Sequence, residues 1–275
     1  MLFEVKHLSV EAFSRGQVNP ILKDVSLALD EGEFAALVGE SGSGKSMTAL
    51  SVMHLLPENI RVTGGEVRLG GNLISSMIER EFRSITGKEI SMVFQEPMTS
   101  LNPLMKTGRQ IEEAGLIHGL SKAEARTRAE ELARLAGLSD TERILNSFPH
   151  ELSGGMKQRI MIAMALMNNP RLLIADEPTT ALDVLTQEEI IGILQNLRET
   201  RKTAMLLITH DLSVVKKLCS RVYIMYRGQI IEQGLTKEIF ENPKHDYTKA
   251  LIQALPGLEK RNQKLPVYDA FLAER

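Results

Sequence analysis

Apolar residues in this chain fall into short runs that alternate with stretches where they recur at helical spacing. Phe3 to Val10 and Val25 to Leu29 read as short strands flanking a turn-rich interval from Ser14 to Pro20. Glu33-Phe-Ala-Ala-Leu-Val38 is an apolar run ending at Gly39, the pattern of a buried parallel strand feeding a loop, and a helix is expected to start near Lys45. Strand character returns at Gly65 to Leu69 and at Ile90 to Phe94, with a polar segment between them.

From about Pro97 to His150 the pattern becomes helical. Ser121-Lys-Ala-Glu124 has the spacing of a capping box, heading a helix with Ala125, Ala129, Leu132 and Ala136 on one side. Alternation then resumes: Met156 to Met167 is helix-like and Leu172 to Ala175 is a short buried strand. Thr186-Gln-Glu-Glu189 is read as the cap of a helix carrying Ile190, Ile193, Leu194 and Leu197, and Ala204 to Ile208 is another buried strand. Such alternation argues for a mostly parallel sheet covered on both faces, with a helical insertion in the middle. Tyr223 to Gln233 resembles a hairpin turning at Arg227-Gly228, and the last ten residues or so are expected to be poorly ordered.

Composition narrows the classes. The chain has 275 residues, 43% hydrophobic and 25% charged, enough for one large α/β domain and unlike low-complexity material. Thirty-three basic against thirty-five acidic residues leave a net charge of -2, so no overall basic field exists to hold nucleic acid. One cysteine, Cys219, on an expected helix, excludes an internal disulfide or a cysteine-rich metal cluster. The amino end lacks the long apolar core of a signal peptide, and the longest uncharged apolar stretch, Ile160 to Met167, is far short of a membrane span.

The candidate chemistry starts at Gly39-Glu-Ser-Gly-Ser-Gly-Lys-Ser46, which satisfies G-x-x-x-x-G-K-[ST] between a strand and a helix. Glycines let backbone N–H groups converge on phosphate oxygens, the helix start adds a favourable dipole, Lys45 reaches the terminal phosphates and Ser46 offers an oxygen to Mg²⁺. Read alone, the stretch is also compatible with a ligand-free glycine-rich turn. Leu172-Leu-Ile-Ala-Asp-Glu177 supplies the acids such a loop needs: Asp176 for the metal, and Glu177 to orient or deprotonate attacking water. Without the upstream loop, the same two acids would read as a plain strand end.

Leu152-Ser-Gly-Gly-Met-Lys-Gln-Arg159 places a serine and two glycines at a second helix start, again suited to phosphate. Here the sequence resembles the ATP-binding-cassette ATPases, whose signature reads LSGGQ; Met156 stands where glutamine is usual, leaving Ser153, Gly154 and Gly155 intact. The resemblance covers nearly the entire chain in the family's order, through Gln95 (the Q-loop), Ala181-Leu-Asp183 (the D-loop) and His210 (the switch histidine). It implies a P-loop NTPase fold of the ABC ATPase type: an α/β RecA-like core, an antiparallel β subdomain at the amino end, and an inserted helical subdomain at about 97–165. The nucleotide-binding domain would span 1–257, with a tail at 258–275.

The roles implied by resemblance are specific. Lys45, Gln95, Glu177 and His210 form the catalytic set, and Ser46, Gln95 and Asp176 hold Mg²⁺. ATP is bound by Phe13, Gly39, Glu40, Ser41, Gly42, Ser43, Gly44, Lys45, Ser46 and Met47 of one subunit. Ser153, Gly154 and Gly155 of another cap it, and Asp183 links the two sites. Phe13 is the candidate for stacking on adenine. ATP binding would glue two subunits and hydrolysis would release them.

Layout separates the branches. Lys45 and Ser153 lie about a hundred positions apart with no heptads between, there is a single P-loop, and no membrane helix is fused, which leaves a detached transporter subunit. Gln95-Glu-Pro-Met-Thr-Ser-Leu-Asn-Pro103, Ala175 to Asp183 and Asn242-Pro-Lys-His-Asp-Tyr-Thr248 look like the peptide and nickel importer group, in its first ATPase subunit type. That implies a second ATPase subunit (a heterodimer, with a homodimer the alternative), two membrane permease subunits, and an extracytoplasmic substrate-binding protein acting indirectly. No nucleic acid is implied, and the chain would sit on the cytoplasmic face of the membrane. Met98, Leu101, Leu104 and Met105 are candidates for a groove receiving a coupling helix, with core packing the competing explanation. An ATP-gated clamp serving a non-transport partner is the alternative function.

Overall fold

The computed structural model describes residues 1–14, 16–96, 100–180 and 182–254. Expectations for Met98, Ala181 and the tail lie outside these residues. Two sheets organise the rest. In the first, β1 (Phe3–Ser14) pairs antiparallel with β2 (Gln17–Leu29) and β4 (Ile60–Leu69), and β4 with the short β5 (Asn72–Leu73). The β1–β2 pairing runs from Phe3↔Leu29 to Ser14↔Gln17, so both strands are longer than the apolar pattern suggests. The residues beyond the apolar pattern, Glu11 to Ser14 of β1 and most of Gln17 to Asp24 of β2, are exposed or half-buried, which weakens the hydrophobic signal without removing the ladder. Pro20, expected in a turn, lies within β2 opposite Glu11; β2 is the outermost strand, where a missing N–H is tolerated.

The second sheet has the order β10-β9-β3-β8-β7-β6. Its members are β3 (Phe34–Val38), β6 (Ile90–Val93), β7 (Leu172–Asp176), β8 (Ala204–Thr209), β9 (Arg221–Tyr226) and β10 (Gln229–Leu235). All pairings are parallel except the β9–β10 hairpin. Every residue of β3, β7 and β8 is buried, as befits strands covered on both faces. Successive side chains go to different cores: Leu173, Ala175, Met205 and Leu207 join the helices, while Leu172, Ile174, Leu206 and Ile208 meet Phe3, Leu27 and Phe82 on the side of the antiparallel sheet.

The described part of the middle region contains helices Thr107–Leu116, Lys122–Leu135 and Thr141–Asn146 and a short 3-10 turn at Pro149–Glu151. The Ser121 capping box is formed: Ser121 Oγ accepts the Glu124 N–H, and the Glu124 carboxylate accepts the Ser121 N–H at 2.9 Å. Two readings need correction. The polar segment before β6 holds a helix, Glu79–Ile85, whose single fully buried residue, Phe82, leaves no periodic pattern to detect. Thr186 does not cap helix Val184–Thr200; Asp183 does, accepting the Thr186 N–H at 3.0 Å and its hydroxyl at 2.7 Å. Cys219 lies just past helix Leu212–Leu218, and burial pushes its thiol up to about 12, a packed and unreactive group. Among the described residues no helix is long and apolar enough to cross a membrane.

Candidate functional site

The parallel strands bring their carboxyl ends to one edge, where ligands of open α/β sheets bind. β3 runs into Gly39–Ser46, β7 ends at Asp176 with Glu177 next, β8 is followed by His210, and β6 leads to Gln95. Because β8 lies between β3 and β7, residues more than a hundred positions apart in sequence share this edge.

The loop is held tightly. A Cβ on Gly39 would lie 2.2 Å from the Met225 carbonyl oxygen of β9, so only glycine fits where β3 leaves the sheet. Lys45 is 4% exposed and donates to the carbonyls of Gly39 and Glu40 at 2.8 and 2.9 Å, folding its side chain back over the loop. Burial lowers its pKa, against the charges of Glu177, Asp176 and Glu40. The buried Ser43 hydroxyl has no hydrogen-bond partner, a polar atom fit to meet a ligand oxygen. Ser41 and Gly42 form the exposed crest. Glu40 spends its N–H on the Tyr247 hydroxyl at 3.0 Å and its carbonyl on Lys45, so its backbone shapes the loop. The Met47 side chain packs toward the inter-sheet core, which leaves its backbone for any ligand contact.

Across from the loop, Asp176 Oδ1 accepts the Ser46 hydroxyl at 3.1 Å. Burial raises the Asp176 pKa, with the Ser46 bond opposing. These are hard oxygen ligands of the kind Mg²⁺ takes, one carboxylate and one hydroxyl, leaving positions for phosphate and water oxygens. The residues therefore fit the ion. Among the described residues no group of three or more His, Cys, Asp and Glu could hold a metal ion.

Glu177 adopts a left-handed backbone, φ 46°, uncommon outside glycine, and its N–H donates to the Ile208 carbonyl at 2.8 Å. This turn sends its carboxylate to three partners. Oε2 accepts from Thr180 Oγ1 at 2.7 Å and Gln95 Nε2 at 3.2 Å, and Oε1 lies 3.2 Å from His210 Nδ1. Burial pushes its pKa up, but the bonds from Thr180 and His210, with the charges of His210 and Lys45, outweigh it and hold the carboxyl below its usual range. The structure thus gathers Gln95, Glu177 and His210 into one cluster and Ser46 with Asp176 into another. Thr180 was missed in the sequence reading, although it lies only three residues past Glu177.

Ser153, Gly154 and Gly155 form a separate feature. Ser153 caps helix Gly154–Ala165 by accepting the Met156 N–H at 3.3 Å, and a Cβ on Gly155 would lie 2.3 Å from Thr186 Cγ2. Close packing against the Asp183-capped helix thus explains the second glycine, while Ser153 and Gly154 are exposed. Hydrogen bonds from Thr186 lower the Asp183 pKa. Phe13 is 40% exposed on β1, with the Arg61 guanidinium 5.8 Å from its ring centroid. Leu101 is buried in the core and Leu104 is exposed.

A phosphate-binding loop facing a carboxylate pair, with an amide and an imidazole closing on the second acid, defines a P-loop nucleotide-binding cassette. Residues 22–180 match the family model for the ABC transporter, and residues 231–269 match that for the oligopeptide/dipeptide transporter C-terminal region. The chain belongs to the ABC transporter ATP-binding family. It is 46% identical over 97% of its length to a probable peptide ABC transporter ATP-binding protein of Sinorhizobium fredii, covering 80% of that protein. It is also 46% identical, over 96% of its length and 74% of the relative, to the oligopeptide transport ATP-binding protein OppD of Bacillus subtilis. A dimeric ATP-binding cassette solved in a post-hydrolysis state with ADP and Pi superposes with a TM-score of 0.77 at 31% identity, over 86% of this chain and 99% of that one.

Proposed function

We propose that this chain is the ATP-hydrolysing subunit of an importer that drives uptake of peptides through separate membrane subunits. The observation that carries the reading is the convergence of Gln95 and His210 on the Glu177 carboxylate beside the Ser46–Asp176 pair. Gly39 to Met47 would cradle the phosphates, with Lys45 leaving its loop carbonyls for the terminal ones. Ser46 and Asp176 would hold Mg²⁺, with Gln95 joining from the Glu177 side; the ion would neutralise charge on the phosphate oxygens. Glu177, ionised at neutral pH, would accept a hydrogen bond or proton from the attacking water, and His210 would contact the γ-phosphate. Phe13 would stack on adenine.

The peptide assignment is supported by the names of the relatives and by the match at 231–269. Nickel, the other cargo suggested by the sequence, has no such support among them. We place the nucleotide-binding domain at 1–257, with 97–165 as its helical insertion and 258–275 as a tail. The partners would be a second ATPase subunit, in a heterodimer in preference to a homodimer, and two permease subunits that hold the chain at the cytoplasmic face; a substrate-binding protein would act through them. Ser153 to Gly155 of each ATPase would cap the nucleotide of the other, with Asp183 between the sites. The permease would dock near Leu101 and Leu104.

The test is uptake of a labelled oligopeptide into vesicles carrying the whole complex. ATP-dependent uptake that is lost with Glu177→Gln supports the reading. Peptide uptake indifferent to that substitution overturns it, and ATP-dependent association with a soluble partner without transport would favour the clamp.

A further inference from the structure

The segment Asn242 to Thr248 supplies no group to the reaction described above, yet it ends against the phosphate loop. Glu232 on β10 accepts the N–H groups of Lys244 and His245 at 2.7 and 3.0 Å, pinning the turn that leads into helix Asp246–Gln253. His245 Nδ1 accepts the Tyr247 N–H at 3.1 Å and caps that helix. Tyr247 is fully buried, its ring centroid 4.5 Å from that of Tyr226, and its hydroxyl accepts the Glu40 N–H at 3.0 Å. Among the described residues the loop is held by Lys45 on the Gly39 and Glu40 carbonyls, by the Gly228 N–H on the Ser43 carbonyl at 2.8 Å, by Tyr247 on Glu40, and by the Ser46 hydroxyl on Asp176. The first must be given up if Lys45 turns to phosphate, and the second is backbone. The Ser46–Asp176 bond lies where Mg²⁺ would be held, so Tyr247 is a side chain outside both the loop and that position that can keep holding the loop while nucleotide is bound.

We infer that Tyr247 is a positioning residue for nucleotide binding: through Glu40 it keeps the phosphate loop in its receptive shape, which makes the carboxyl-terminal segment a back support of the site. Without the hydroxyl, the Glu40 N–H faces an aromatic ring and the loop rearranges to satisfy it. A loop that is receptive only part of the time binds with an affinity reduced by that fraction, and the bound complex then reacts at its normal rate.

This rests on Gly39–Ser46 as the nucleotide seat. The test compares full-length wild type, Tyr247→Phe and Tyr223→Phe by calorimetric titration with MgADP, and by ATP dependence of hydrolysis in the assembled complex. Tyr223 is a matched control whose hydroxyl bonds the Ala28 backbone, away from the loop. The Kd for MgADP and the KM for ATP should rise about 3- to 10-fold in Tyr247→Phe, the loss of one hydrogen bond. The kcat should stay within about twofold, and Tyr223→Phe should bind like wild type. Unchanged Kd and KM in Tyr247→Phe, a change confined to kcat, or an equal loss in Tyr223→Phe overturns the inference. A wild-type chain that fails to bind MgADP overturns the nucleotide reading itself.

Discussion

Two helix starts in this molecule carry the same physics and different equipment. Helix Lys45–Val52 opens at Gly44, φ 111°, with no side-chain cap; helix Gly154–Ala165 opens at Ser153, whose hydroxyl takes one N–H. Neither has an acid in its first turn, unlike helix Lys122–Leu135 with Glu124, so both leave their dipoles uncompensated for an anion. The first start faces Asp176 and contains Lys45, within reach of the charge of Glu177. The second packs on Thr186 and exposes Ser153 and Gly154. In the proposed reaction one end would carry the charged groups and the other only a grip. On the proposed reading, a chain built this way would need the grip of a second chain to close its site.

The sharpest way to separate the two ends is Glu177→Gln. Removing the carboxylate that gathers Thr180, Gln95 and His210 should lower ATP hydrolysis by about 1,000-fold while nucleotide still binds and the closed dimer lasts longer, read by single-turnover kinetics and light scattering. Lys45→Ala should cost about 100-fold in hydrolysis and also weaken MgADP binding itself, because the cation that closes the loop and is proposed to meet phosphate is gone.

At the second helix start the expected losses are of packing. Gly155→Ala should destabilise the fold by about 1–3 kcal/mol in urea melts, since its methyl meets Thr186 Cγ2, and Thr186→Ser should restore most of that. Gly154→Ala meets nothing nearer than 3.9 Å and should leave stability unchanged within about 0.5 kcal/mol. Equal costs at the two glycines would contradict the assignment of Gly155 to packing.

The smallest effect is a gain. Burial raises the Asp176 pKa, so at neutral pH the folded chain carries a charge that costs it stability, and Asp176→Asn should raise the Tm of the nucleotide-free chain. As pH falls through the raised folded-state value the native carboxyl takes its proton before the unfolded one does. The advantage should fade there and be gone below about pH 4. A melting series from pH 8 to pH 4 checks it; an advantage that grows on acidification contradicts the direction.

Much of the first helix start is written locally. A strand, five positions of which four are glycine or serine, and Gly-Lys-Ser are contiguous, and phosphate binding by backbone needs that spacing. The acids at the end of β7 are legible for the same reason. The cluster around Glu177 is legible only through the family resemblance, because its members follow β6, β7 and β8, and neither strand order nor the left-handed turn at Glu177 is a local property. Asp183 as cap is only a bland alternative in the sequence, because the spacing of Thr186 to Glu189 imitates a capping box while its hydroxyl serves Asp183. Gly155 reads as a phosphate contact in sequence, and its packing on Thr186 depends on a helix about thirty residues later. Tyr247 gives no local sign of reaching Glu40 at all.

The central claim is that triphosphate lies between Gly39–Ser46 of one ATPase and Ser153–Gly155 of the other. A structure of the assembled complex carrying Glu177→Gln and bound to MgATP tests it directly. The account predicts density for the γ-phosphate with Lys45 on one side and the partner ATPase's signature turn on the other. Nucleotide seated in the loop while Ser153 and Gly154 remain open to solvent in a closed, stably associated complex would contradict it.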